Sequence, residues 1–356
     1  MPIHTALFST TNPLSKTSPL FKKSLLTAIT AALLASIGLV GCSSPESTAA
    51  DNANDSQMTA NSADNNNAAS TQVTAEIIEV DTVKGAVSLP MNPSPFVVYD
   101  MSLMQDLAAL DVVVDGMPSG LHLDNLQSKT QPEPKAVGTV FEPDLEALNA
   151  MQPQAILVGS RMAEKYDELA NIAPTLDMTI DTAHIYESSK QRLHDLGALF
   201  GKSVQAAKLQ QDIDGMIAQT QALTKDKGTG LVVMVNGNKM STYGTDSRFG
   251  FIHSVLGVPA ADPDIGDSRH GQPISFEYIQ KINPDWLFVL DRSAAIGEDG
   301  IGAKAVLDNP LVAQTRAWNK DQVVYLSPDA YLAFGGYYQW MQDLTTIKDA
   351  FSKAQP

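Results

Sequence analysis

The sequence predicts an α/β protein of two Rossmann-like lobes joined by one long rigid helix, and three observations carry that expectation. The first is an internal repeat. Residues 145–161, LEALNAMQPQAILVGSR, return without a gap 131 residues later as residues 276–292, FEYIQKINPDWLFVLDR. Glu146 falls on Glu277, Met151 on Ile282, Pro153 on Pro284, Val158 on Val289 and Arg161 on Arg292. The second is the form of the repeated unit. Apolar residues recur three apart as on a helix face, a proline ends the helix, and a short continuous apolar run follows, as in a parallel strand buried on both faces. The third is residues 201–230, GKSVQAAKLQQDIDGMIAQTQALTKDKGTG. They read as one amphipathic helix of about twenty-four residues ended by Lys and Gly, roughly 35 Å long and able to cross from one lobe to the other.

The chain divides accordingly into a leader, 1–41, a tether, 42–72, a first lobe, 73–200, the connecting helix, 201–228, and a second lobe, 229–356. The leader has Lys16, Lys22 and Lys23 ahead of an uncharged apolar run from residue 25 to 40. That run is too short for a membrane span and is followed by polar sequence, the pattern of a signal peptide. It ends in Leu39-Val40-Gly41-Cys42, which resembles the bacterial lipoprotein lipobox, so Cys42 is the expected acylation site. Cys42 is the only cysteine, which rules out an intrachain disulfide. Residues 43–72, rich in Ser, Ala, Asn and Asp, cannot bury a core and predict a coil spanning roughly 30 Å.

From residue 73 the periodicity changes. VTAEIIEV and VKGAVSLP predict a hairpin, FVVYD a strand, MSLMQDLAAL a helix and DVVVDGMP a strand. After the first repeated unit come a helix at 161–171, a strand near 176–180 and a helix near 188–200. Beyond the connecting helix, LVVMVNGN reads as a strand, MSTYGTDSRFG as a glycine-bearing loop and RFGFIHSVLG as a helix. A loop holding Arg269 and His270 precedes the second unit. A helix near 302–307, the strand QVVYL, the loop SPDAYLAFGG and a terminal helix complete the chain.

Charge narrows the chemistry. The formal charge is −16, and removing residues 1–41 takes away three lysines and no acid, leaving −19. No basic stripe exists for nucleic acid. Ser268 and His270 stand two apart on a loop, a spacing that does not make a nucleophile–base pair, and no G-x-S-x-G elbow, phosphate loop or dinucleotide fingerprint occurs. Zinc or manganese carriage would call for clustered histidines, whereas the six here are scattered. The six arginines are more informative, at 161, 192, 248, 269, 292 and 316. Arg161, Arg248 and Arg292 each stand at a strand end or just ahead of a helix, where open α/β sheets place ligand groups. Three guanidiniums converging on one cleft suit a multiply anionic, aromatic ligand.

From residue 73 onward the chain resembles the siderophore-binding lipoproteins of ABC iron importers that serve enterobactin-type and other catecholate siderophores. The resemblance is carried by LVGSRMAEKYDELANIAPT, TYGTDSRFGFIHSVLGV, RHGQPISFEYIQKINPDWLFVLDR, VLDNPLVAQT and VVYLSPDAYLAFGG. It implies the bilobal class III substrate-binding fold, with no intrinsic cofactor and a ferric siderophore as ligand. It also implies a monomer, tethered through Cys42 and facing the periplasm or the outer face of the membrane. Arg161, Arg248 and Arg292 would hold the trianionic ferric catecholate. His270 and Tyr331 would ligate iron where the siderophore leaves positions open, although the loop around Tyr331 runs about one residue shorter than the family's usual form. Glu146 and Glu277, one per lobe, would dock into arginine pockets of the permease. The alternatives are a haem or corrinoid carrier on the same fold and a lipid-anchored α/β hydrolase.

Overall fold

The computed structural model describes residues 76–121, 133–266, 268 and 270–354; the leader, Cys42 and the tether lie outside them. The described chain opens on an antiparallel hairpin of β1 (Ile77–Thr82) and β2 (Gly85–Pro90). The first lobe is then built on five parallel strands: β3 (Phe96–Val98), β4 (Gly116–Met117), β5 (Lys135–Ala136), β6 (Ala155–Val158) and β7 (Thr175–Asp177). Their spatial order, β5-β4-β3-β6-β7, reverses direction of progress between β3 and β6, the switch point where a crevice opens at the strands' carboxyl ends. Alternation decides which face each side chain covers. Phe96, Val98 and Leu157 pack with Leu103, Leu107 and Leu196 on one face, and Val97, Ile156 and Val158 with Leu148 and Leu169 on the other.

The second lobe holds β8 (Gly230–Asn236), β9 (Lys239–Tyr243), β10 (Gln272–Ile274), β11 (Trp286–Asp291) and β12 (Val323–Tyr325), in the order β10-β9-β8-β11-β12. β8, β11 and β12 pair in parallel, while β9 pairs antiparallel with both β8 and β10. This corrects the loop expected at MSTYGTDSRFG, whose first residues form β9. Three further expectations are corrected. DVVVDGMP contributes only Gly116–Met117 as strand, RFGFIHSVLG only the helix Phe251–Ser254, and SPDAYLAFGG contains a one-turn helix, Asp329–Leu332. The helix expected at 161–171 is a 3-10 turn, Ala163–Lys165, running into the helix Tyr166–Ala170.

The repeat is real in three dimensions. The helices Leu145–Met151 and Phe276–Ile282 are each seven residues long, and their caps Asp144 and Ser275 each accept a backbone N–H three residues on. Each helix ends on a left-handed residue, Gln152 at φ 49° and Asn283 at φ 51°, before its proline and strand. The helix Ser203–Thr224, 22 residues and about 33 Å by its rise, puts Ala206 into the first lobe's core and Ile213 and Ile217 into the second's. The terminal helix Tyr337–Lys353 lays Trp340, Leu344, Ile347 and Phe351 on the second core, with Phe351 stacked on Trp286 at 3.7 Å. No helix among the described residues is long and apolar enough to cross a membrane.

Candidate ligand-binding cleft

The three arginines come from three local frames. Arg161 lies three residues past β6, Arg248 on the turn between β9 and the helix Phe251–Ser254, and Arg292 opens the helix Arg292–Ala295 directly after β11. All three meet at Tyr331. The guanidinium carbon of Arg248 lies 4.7 Å from the centre of its ring and that of Arg292 5.6 Å away, both within cation–π range. Arg292 Nε donates to the Tyr331 hydroxyl at 3.1 Å and Nη1 to Asn236 Oδ1 at 3.1 Å. Arg161 reaches the same turn through its backbone, donating to the carbonyls of Leu332 and Tyr331 at 3.0 and 3.1 Å.

Electrostatics follow from this geometry. Burial pushes the Tyr331 phenol up, but the Arg292 hydrogen bond and the charges of Arg292, Arg248 and Arg161 outweigh it and leave the phenol below the usual tyrosine value. Arg248 Nε is buried without a hydrogen-bond partner, held against the faces of Tyr331 and Phe249. A buried polar atom left unmatched is costly, so Arg248 is held here by its ring contacts rather than by a hydrogen bond at Nε. At Arg292 a carboxylate offsets little of this field. Glu298 stands 3.6 Å away with its side chain 57% exposed, a contact that water screens.

Arg161, Arg248, Tyr331 and His270 line one cavity of about 410 Å³, within the usual range for small-molecule sites. His270 is exposed, and its backbone carbonyl accepts the Tyr243 hydroxyl at 3.0 Å. The adjoining Gly271 has φ +74°, and a Cβ there would lie 2.7 Å from the Tyr243 ring, so only glycine lets the His270 loop come down on β9. Arg292 borders the site through the Tyr331 hydroxyl rather than through the cavity wall. Phe141, Ser160, Thr179 and Phe334 complete much of the lining and were missed in the sequence. Phe141 had a legible signal: a large aromatic in a Thr-Val-Phe-Glu-Pro turn with no helical or strand period to bury it. A larger hollow of about 810 Å³ lies against β12 and the terminal helix, but it sets Lys320 and Lys353 beside Asp321 and Asp349 and contains none of these residues.

Residues 97–330 match the model of a family described as periplasmic binding protein. The chain belongs to that family. It is 38% identical over 275 residues to the petrobactin-binding protein YclQ of Bacillus subtilis, covering 76% of this chain and 86% of that one. The YclQ crystal structure matches with a TM-score of 0.74 over 78% of this chain and 99% of that chain. Ferric-anguibactin-binding protein FatB of Vibrio anguillarum is 35% identical over 254 residues, 69% of this chain and 79% of its own. The crystal structure of the periplasmic catecholate-siderophore binding protein VctP from Vibrio cholerae matches with a TM-score of 0.73 at 26% identity, over 77% of this chain and all of that one. The architecture is therefore that of the bilobal class III binding proteins. In this binding protein Glu146 and Glu277 are exposed on the first turns of the twin helices, one on each lobe. Ser275 donates to Glu277 and holds its carboxyl below the usual range.

Proposed function

We propose that this chain captures a ferric siderophore of the catecholate class in its interlobe cleft and delivers it to an ABC importer without turning it over. The convergence of Arg161, Arg248 and Arg292 on Tyr331 carries the reading. Three permanent cations and a polarised phenol form a site for a complex that is at once trianionic and aromatic. The relatives named for petrobactin, ferric anguibactin and catecholate siderophores support the same ligand class. Where a siderophore supplies only two catechols, two of iron's six positions stay open. A phenolate is a hard oxygen donor and neutral imidazole also binds iron, so Tyr331 and His270 cap the metal. The experiment is a titration of the protein with ferric bis- and tris-catecholates, a ferric hydroxamate and haem, followed by tyrosine and tryptophan fluorescence and visible absorbance. Both catecholates should quench fluorescence and show a charge-transfer band, and Tyr331→Phe and His270→Ala should each shift the bis-catecholate band alone. Binding of haem in preference to either catecholate, or of neither catecholate, overturns the proposal.

In this reading the first lobe, 73–200, and the second, 229–356, close on the ligand across the helix of 201–228. Cys42 carries the lipid that holds the monomer to the membrane, facing the periplasm. Glu146 and Glu277 engage the two halves of the permease, since rim charges chiefly set approach and register. Cells carrying Glu146→Ala with Glu277→Ala, or carrying Cys42→Ser, should take up less iron, while the purified variants keep the wild-type affinity. Normal uptake by either strain sinks the corresponding role.

A further inference from the structure

The turn that carries Tyr331 follows β12 of the second lobe, yet its attachments run to the first. Gln105, on the helix Met101–Ala109, is fully buried. Its Nε2 donates to Asp329 Oδ2 at 2.8 Å, and its Oε1 accepts the backbone N–H of Gln339 at 2.9 Å. One residue on, Asp106 Oδ1 accepts the N–H of Tyr337 at 2.8 Å, and Oδ2 takes Arg192 Nη2 at 2.8 Å. Arg192 in turn donates to the carbonyl of Gly335 at 3.1 Å. Leu332 and Ala333 are packed into the first lobe's core. Gly336 records how close the approach is: a Cβ there would lie 2.5 Å from Gln105 Oε1.

Asp329 is the first residue of the one-turn helix Asp329–Leu332, and Tyr331 stands two residues later on it. Gln105 thus grips both ends of the segment that presents the phenol, while Arg248 and Arg292 reach that phenol from the second lobe. We propose that Gln105 is a positioning residue for Tyr331: from the first lobe, through Asp329, it sets where the phenol stands among the second lobe's arginines. This rests on the reading that Tyr331 faces the iron of the ligand. Buried amide and carboxylate partners hold direction as well as distance, because neither has water to turn to.

The bond can be reversed without changing net charge. In Gln105→Glu two carboxylates face each other in a dry site; adding Asp329→Asn restores one donor and one acceptor, and the introduced carboxylate still accepts from Gln339 N–H. Wild type, the single variant and the swap would be compared by the 13Cζ resonance of Tyr331 in the ligand-free protein at neutral pH. That resonance is assigned by its loss in Tyr331→Phe, and each protein is also titrated with a ferric bis-catecholate. Gln105→Glu should move the Tyr331 resonance, leave the distant tyrosines in place, and weaken binding roughly tenfold. The swap should return both to wild type. If the single variant does not fold, Gln105→Met, of similar volume and without either hydrogen bond, is read in the same way. An unmoved Tyr331 resonance, or a swap that does not restore it, overturns the proposal. A visible band that Tyr331→Phe leaves unchanged instead overturns the ligation reading, and the ligand-free resonance still decides the role of Gln105.

Discussion

The twin units of the two lobes share a sequence pattern, a helix length, both caps and a strand, but they use their arginines differently. Arg161 is spent on backbone: it bonds two consecutive carbonyls of the Tyr331 turn, which a ligand cannot displace without undoing the turn. Arg292 bonds two side-chain oxygens, the Tyr331 hydroxyl and Asn236, both of which can yield to a stronger anion. The surrounding sheets differ in the same sense. The first is parallel throughout, and the second has an antiparallel edge, β9 and β10, that carries Arg248 and His270 to the cavity. The first lobe is the mount and the second holds the contacts a ligand can displace.

The strongest way to break that comparison is to remove both arginines. Hydrogen bonds to charged groups contribute about 1.5–3 kcal/mol each, so Arg292→Ala alone should cost a ferric catecholate about that much, and adding Arg161→Ala, which releases the turn behind Tyr331, should cost more. The single variants should then part company. Arg292→Ala should weaken binding with little change in melting temperature, whereas Arg161→Ala should lower both. Calorimetric binding with thermal melts measures this, and equal melting temperatures for the two single variants would remove the distinction between mount and contact.

The repeat was legible because it is written in short-range terms: apolar spacing, a proline, an uninterrupted apolar run. The arginines were legible because their type is scarce and their positions fall at strand ends. The antiparallel edge was also within reach. Asn236-Gly237-Asn238 between apolar runs is a two-residue hairpin signal, and the register pairs Asn236 with Lys239 across it. The buried polar grip on Tyr331 was not. Gln105 and Asp329 are 224 residues apart, and nothing local distinguishes that glutamine from one on a wet face. Which polar side chains meet in a dry interior is decided by the packing of the lobes.

A second test concerns the buried carboxyls on the two sides of the Tyr331 turn, one of which is removed by substitution. On the first lobe's side Asp106 is paired with Arg192, yet burial outweighs that cation and pushes the carboxyl up to about 6. On the second lobe's side Asp343 accepts from Ser327 N–H and Gln339 Nε2, with no cation among its hydrogen-bond partners. Burial pushes the Asp343 carboxyl up to about 6 against those hydrogen bonds. A carboxyl with a raised folded pKa keeps its proton longer in the native state. Its contribution to stability is therefore full below about pH 4 and is lost as pH rises to about 6, by ~3 kcal/mol for a shift of two units. Denaturant unfolding at pH 4, 5, 6 and 7 should show a steeper fall in wild type than in Asp343→Asn. Parallel curves would mean that Asp343 is ionised throughout.

The smallest effect belongs to a position where the two lobes differ. Shifted by the repeat, Phe141 of the first lobe falls on Gln272, the first residue of β10 in the second. Phe141 is 65% exposed, so its ring is open to a ligand in the cavity. Its turn is hydrogen-bonded: Thr139 Oγ1 accepts the N–H groups of Phe141 and Glu142 at 3.3 and 3.0 Å, and Glu142 meets Lys165 at 3.2 Å. A ring on the wall of an arginine-lined cavity is placed to stack on a catechol ring. Aromatic pairs contribute about 0.5–1.5 kcal/mol beyond the area they bury, so Phe141→Ala should weaken a ferric catecholate by roughly 2- to 12-fold. Phe141→Tyr should keep the affinity, Gln272→Ala should not change it, and a ferric hydroxamate without aromatic rings should bind all of these variants alike. Fluorescence titration with the two ligand types measures the difference. If Phe141→Ala weakens both ligands equally, the ring shapes the cavity and has no preference for aromatic ligands.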